Sequence, residues 1–249
     1  MSNDRYFLKH NARLVISSAR PSMIVAALIY IAVSLLLSTL SSSALGVNVT
    51  QDLAKSYLTA YMNADFDKLM VLLGRMAPPR SAYLVVLAIE LVTSILGAGF
   101  VIFVFNTIRK AEPSYGNLLD GFALAVKIIL LELLQGVVIF ALSLLFIAPG
   151  IIAAYSYSMS LYILIDRPET GVIECMRQSR TMMRGHKWEF FCLQLSFFGW
   201  YMLTMIPYVG YGASVWTTPY TVTTYVLYYM SLKGESFTLS ADPPQDEYM

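Results

Sequence analysis

The sequence predicts an all-α, polytopic membrane protein of about six transmembrane helices joined in part by amphipathic elbow helices. Three observations predict it. Of 249 residues, 57% are hydrophobic and only 13% are charged, with a mean hydropathy of +0.61; soluble domains carry about 25% charged residues. Several apolar runs reach the length a helix needs to cross a hydrocarbon layer. The basic residues also gather in alternate connecting segments, the asymmetry that orients membrane helices. Backbone groups in lipid need partners within their own segment, so these runs are read as helices. The alternating strands of a membrane barrel are not seen.

The elements follow in order. Residues 1–20 hold Arg5, Lys9, Arg13 and Arg20 among apolar residues. They read either as a basic interfacial leader, its cations reaching lipid headgroups, or as a plain basic segment before the first span. That span is expected near Ser22–Leu40. Its apolar core exceeds the ~7–15 residues of a signal peptide, which favours a retained anchor over a cleaved leader. Residues 41–80 form an extracytoplasmic loop with Asp52, Lys55, Asp65, Asp67, Lys68, Arg75 and Arg80, and with one or two amphipathic helices. The second span is about Ala82–Ile108, stopped by Arg109 and Lys110. The connector AEPSYGNLLDGFALAV leads to a third at about Lys127–Ile147.

Pro149-Gly150 reads as the turn into a fourth span, Ile151–Ile165. A charged segment, 166–189, precedes a fifth at about Phe190–Pro207, and YVGYG turns into a sixth near Ala213–Leu232. The acidic 234–249 tail has the composition of disordered chain. With the N-terminus inside, the inner segments hold 13 of the 17 Lys and Arg, and the other four all lie in 41–80. Both termini are therefore expected on the cytoplasmic side of a single membrane domain.

Two segments share a layout. AEPSYGNLLDGFALAVK, an apolar span, APG and YSYSMSLYIL form one. DRPETGVIECMRQSRTMMRGHK, an apolar span, PYVGYG and TTPYTVTTYVLYYM form the other. Each has a charged beginning, an amphipathic stretch, a span out, a Pro/Gly corner and a Tyr/Ser/Thr-dotted span back. This layout predicts a parallel internal repeat, with chance similarity of helical hairpins as the alternative.

GFALAVK, APGIIAAYSYSMSLYIL, SRTMMRGHKWEFFCLQLSFFGW and WTTPYTVTTYVLYYM carry a resemblance. The chain resembles a bacterial integral membrane family known as domain of unknown function 975, most closely over residues 82–232. The family typically has Ile-Pro-Gly where this chain has Ala148-Pro149-Gly150. The resemblance implies a six-helix protein of the bacterial cytoplasmic membrane, and it brings no activity or catalytic residues with it.

Candidate functional residues fall in three groups. Glu90 and Glu132 sit within apolar spans, where a carboxylate is costly and so a functional candidate; the alternative is a satisfied contact between helices. Tyr155, Ser158 and Tyr162 share one face of the fourth span. With Trp200, Tyr220 and Thr224 they are candidates for lining a cavity or for packing. On a helix over 170–187, Val172, Ile173, Met176, Ser179 and Met183 share one face. Arg177, Arg180 and Arg184, with Lys187, lie on another as candidate contacts for anionic headgroups; the favoured alternative is a plain elbow helix that fixes the next span, since Asp166, Glu169, Glu174 and Glu189 offset much of the charge. The pairs Thr93/Gly97 and Ser94/Ala98 suit close helix packing.

The sequence has no Ser-His-Asp arrangement, HExxH, Walker loop or GxGxxG. With only two histidines, a metal site lacks ligands, and a net charge of +1 does not suggest a nucleic-acid partner. The expectation is a non-enzymatic membrane protein without cofactors that binds or moves a lipid-like or peptide amphiphile. The alternative is a structural or assembly partner of another membrane protein.

Overall fold

The computed structural model describes residues 5–45, 51–76, 80–206 and 209–235. Their regular structure is all helical, with no strand among them. Four helical segments are long and apolar enough to cross a membrane: Met23–Ser43, Ser81–Arg109, Asn117–Leu145 and Ile147–Asp166. The protein is membrane-embedded. The fifth and sixth expected spans are helical but do not meet that measure, for two different reasons given below. The acidic tail beyond residue 235 lies outside the described residues.

The chain divides into two compact units, Met1–Ile31 with Ile95–Met249 and Ala32–Ser94, and the division falls within two long helices. Those helices are α2 (Met23–Leu45) and α5 (Arg80–Arg109). In the smaller unit, the loop expected to hold one or two helices holds both α3 (Gln51–Met62) and α4 (Phe66–Met76). Asp65 caps α4 by accepting a hydrogen bond from the Lys68 amide at 3.0 Å, as short polar side chains do at helix starts.

The larger unit is built around α13 (Val209–Lys233). Five consecutive residues, Val226 to Met230, are buried, so protein covers more than a full turn. A helix enclosed in this way need not be apolar towards lipid. Its Thr and Tyr content, which keeps it out of the set of clearly spanning helices, fits contact with neighbouring helices. Helix α1 (Arg5–Ser18) packs on it through Leu8, Ala12, Val15 and Ile16, all buried. The apolar face of the basic N-terminal segment is thus covered by protein rather than left for lipid. Lys9 also points inward, donating to the Ser196 carbonyl at 2.9 Å with its ammonium 4.1 Å from the centre of the Phe197 ring. Arg13 lies 5.4 Å above the Tyr220 ring.

The expected fifth span is two short helices, α11 (Lys187–Leu195) and α12 (Phe198–Thr204), with Ser196 and Phe197 between them. Neither is long enough to cross a bilayer alone. The third is α7 (Ala125–Leu145), preceded by a short turn of helix, α6 (Asn117–Asp120), and a 3-10 turn over Gly121–Leu124. Val126, Leu130, Leu133, Val137, Phe140 and Leu144 are exposed along α7 at spacings of three and four. Such a stripe is unsuited to water, and in a bilayer it is the face turned to lipid.

The turn between the third and fourth spans is Phe146, in extended backbone, and not Pro149-Gly150. Those two residues lie in the first turn of α8 (Ile147–Tyr157). Proline is tolerated there because the amide it lacks would have no helical partner. Gly150 has a steric role: a Cβ on it would stand 2.0 Å from the Ser143 hydroxyl and 2.9 Å from the Ser143 Cβ.

A second close approach joins α5 to the 117–124 segment. A Cβ at Gly99 would meet the Leu118 carbonyl oxygen at 2.0 Å, and one at Gly121 the Ile95 carbonyl oxygen at 2.2 Å. By contrast, a Cβ at Gly97 would lie 3.5 Å from the Tyr30 hydroxyl, an ordinary contact. The tight glycine of α5 is therefore Gly99 and not the Gly97 of the small-residue pairs. Gly99→Ala should cost roughly 1–3 kcal/mol because it presses on backbone, and Gly97→Ala should be close to neutral. Thermal unfolding of the two purified variants in detergent checks this; equal melting temperatures would refute it.

Candidate functional site

The site begins with an interrupted helix. Helix α8 ends at Tyr157 and α9 (Ser160–Asp166) follows after Ser158 and Met159. Inside a membrane protein, backbone groups at such a break need partners from elsewhere. Side chains provide them. The Met159 amide donates to the Ser179 hydroxyl at 3.1 Å, and that hydroxyl donates to the Ser156 carbonyl at 2.9 Å. The Ser158 hydroxyl donates to the Tyr155 carbonyl at 2.9 Å, and the Gln135 amide lies 3.5 Å from the Tyr157 carbonyl.

Ser179 belongs to α10 (Val172–Met182) and is fully buried, together with Val172, Cys175, Met176 and Met183. Ile173, assigned to that face from sequence, is 75% exposed, and Cys175 takes the inward position. One residue of helix turns the side chain by about 100°, which moves position 173 off the stripe that 172, 176, 179 and 183 form.

The polar and aromatic residues of the fourth span meet protein. The Tyr155 hydroxyl hydrogen-bonds Gln194 Oε1 at 3.0 Å, and its ring stands edge-on to Phe190 and Phe191. Tyr162 stacks on Tyr229 at 6.0 Å between centroids. Tyr220 packs edge-on to Phe197, and Thr224 bonds back to the Tyr220 carbonyl at 2.7 Å within α13. Trp200 is half-buried against the core. These rings form continuous aromatic packing between the fourth span, α11 and α13.

The α5, α9 and α13 ends meet at a cluster that sequence reading noted only as a charged boundary. The side chain of Asp166 is 3% exposed and receives three donors. Arg109 lies 2.6 Å from Oδ1, and Lys233 Nζ and the Tyr229 hydroxyl lie 2.7 Å and 2.8 Å from Oδ2. Glu235 completes it, 3.2 Å from Arg109 and 2.5 Å from Lys233. Two cations face two carboxylates, so the cluster is charge-neutral and fully paired. Lys127, at the start of α7, donates to the Pro168 carbonyl just beyond α9.

The candidate headgroup cations separate. Arg177 is held by Glu174 through two nitrogens, at 2.8 Å and 2.9 Å. Hydrogen bonds from Arg177, then Gln178, hold the Glu174 carboxyl below the usual range. Arg184 is exposed. Arg180 and Lys187 instead line a cavity of about 600 Å³ between α7 and α8, whose walls include Val137, Ala141, Ile152 and Ala153. Glu90 and Glu132 are both exposed on their helices, Glu90 in the smaller unit and Glu132 on α7. Neither lines the cavity.

Replacing Asp166 with Asn should leave Glu235 as the one carboxylate shared by Arg109 and Lys233 and cost about 1–3 kcal/mol. An unchanged melting temperature would count against the cluster as a structural clamp. Burial raises the pKa of Glu235, but hydrogen bonds from Lys233 and Arg109 outweigh it and hold the carboxyl below its ordinary 4.5. A depressed carboxyl stabilises the fold above its unfolded value, and that stability is lost as pH falls through the folded value. Glu235→Gln should therefore flatten the acid side of the stability profile, below about pH 4.5. The same acid slope in both proteins would refute this.

No curated protein and no solved structure matches the chain. The family described as protein of unknown function DUF975 matches residues 3–236, nearly the whole chain and all the elements that build the cavity and the Asp166 cluster. The chain belongs to the DUF975 family.

Proposed function

We propose that this is a non-enzymatic protein of the bacterial cytoplasmic membrane that binds a lipid-like amphiphile at its own lipid-facing surface. In this reading α11–α12 and α13 complete six spans, and both termini are cytoplasmic. The observation that carries it is the groove between α7 and α8: about 600 Å³, with mostly apolar walls and a few polar groups, Arg180 and Lys187 among them. That volume is within the range of small-ligand sites, which are mostly apolar with a few placed polar groups. The groove shares α7 with the exposed stripe from Val126 to Leu144, so a ligand can enter from the bilayer without crossing the core. The alternative lining, the face of Tyr155, Ser158 and Tyr162, is already engaged: Tyr155 and Tyr162 contact neighbouring helices, and the Ser158 hydroxyl donates to the Tyr155 carbonyl of its own span.

Ala141 is exposed and lines the groove, so a large side chain there fills the space without entering the core. Photolabelling with a diazirine-bearing acyl lipid should mark residues 137–157 of the wild type. In Ala141→Trp, that labelling should fall by about tenfold, as expected when a ligand pocket is blocked. Wild-type labelling spread evenly over the lipid-facing helices would overturn the proposal.

A further inference from the structure

The groove between α7 and α8 is asymmetric in charge. Its walls on α7 and α8 are mostly apolar, with Ser156 and Tyr157 among them, while Arg180 of α10 and Lys187 at the start of α11 are its charged lining, with no carboxylate beside them. The acidic residues near them in sequence are engaged elsewhere: Glu174 holds Arg177, and Glu189 lies 2.9 Å from His186 Nδ1. Neither Arg180 nor Lys187 forms a salt bridge with a described residue.

Arg180 is also held in place. It follows Ser179, whose hydroxyl makes two hydrogen bonds at the α8–α9 break. The cation therefore sits on a backbone anchored to one wall of the groove.

We infer that the amphiphile is an anionic lipid. Its acyl chain lies along Val137, Ala141, Ile152 and Ala153, and its phosphate or carboxylate is held by Arg180 and Lys187. This rests on the reading of the groove as an amphiphile site. The guanidinium offers a planar fork of donors to a phosphate or carboxylate, and the ammonium adds a second charge. Cationic amphiphilic peptides are repelled by the same two side chains. A free inorganic anion lacks the chain that the apolar walls accommodate.

The test uses the full chain in nanodiscs with two diazirine-acyl probes, phosphatidylglycerol and phosphatidylcholine, at equal concentration. Each is followed by mapping of the labelled residues. Wild type should be labelled in the groove roughly tenfold more by the anionic probe, given two cations near the headgroup. Equal groove labelling by both probes overturns the anionic assignment and leaves the amphiphile reading intact. Groove labelling by neither overturns both. Arg180→Gln with Lys187→Gln should remove the preference while retaining labelling, and Arg184→Gln, outside the groove, should keep it. A preference that survives the double substitution also overturns the assignment. The wild-type comparison decides even if the double variant fails to fold.

Discussion

The hydroxyl of Ser179 is the contact on which much of the larger unit depends. A helix broken within a membrane protein leaves amides and carbonyls that water cannot reach, each costly if unpaired. One serine serves both sides of the break, accepting from Met159 and donating to Ser156. To do so, α10 must lie directly against α8 and α9, with Cys175, Met176 and Met183 buried beside it. That position in turn brings Arg180 to the groove and leaves Arg177 to be neutralised by Glu174 at the surface. A single backbone defect thus determines which member of an arginine series faces the groove.

The exposed and buried residues are arranged as a bilayer requires. Large apolar side chains lie outside on α7, while the enclosed α13 carries buried Thr217, Thr221, Thr223 and Thr224 beside Tyr220, Tyr228 and Tyr229. Packing between membrane helices gains little from apolarity, since lipid is equally apolar; shape and hydrogen bonds decide it. Small and hydroxyl-bearing residues therefore concentrate inside, and the glycines with a neighbouring backbone carbonyl pressed against them are Gly99, Gly121 and Gly210.

Helical class and most helix positions were legible because apolar length and basic punctuation are local signals. Breaks and turns were less so. Nothing in YSYSMS marks a helix interruption until Ser179, 20 residues after Met159, is placed beside it. Phe146 was masked as a turn by the stronger proline-glycine signal three residues on. The face of α10 was nearly right, and the error at Ile173 came from treating adjacent residues as sharing a side. Arg180 and Lys187 were legible as cations of interest, but the groove that distinguishes them from Arg177 depends on α7, about 40 positions earlier. Asp166 looked like an ordinary end of a span, since its partners Arg109 and Lys233 lie 57 and 67 residues away.

The packing also bears on the internal repeat. Gly150 rests on Ser143 near one corner, and Gly210 on the Thr204 carbonyl near the other. At the far ends, Tyr162 stacks on Tyr229, and four residues later Asp166 pairs with Lys233. The two return helices thus meet through the same pattern, a tyrosine and then a charge one turn on. A duplicated hairpin would set like against like, and two equal charges at this point would repel in a poorly hydrated site. Opposite signs at corresponding positions convert that repulsion into the Asp166 cluster. The hairpins differ in one further way: the first is broken in its return helix, α8–α9, and the second in its outgoing helix, α11–α12. The Ser179 contact forms at the first break, so the cationic groove is built on the first hairpin alone.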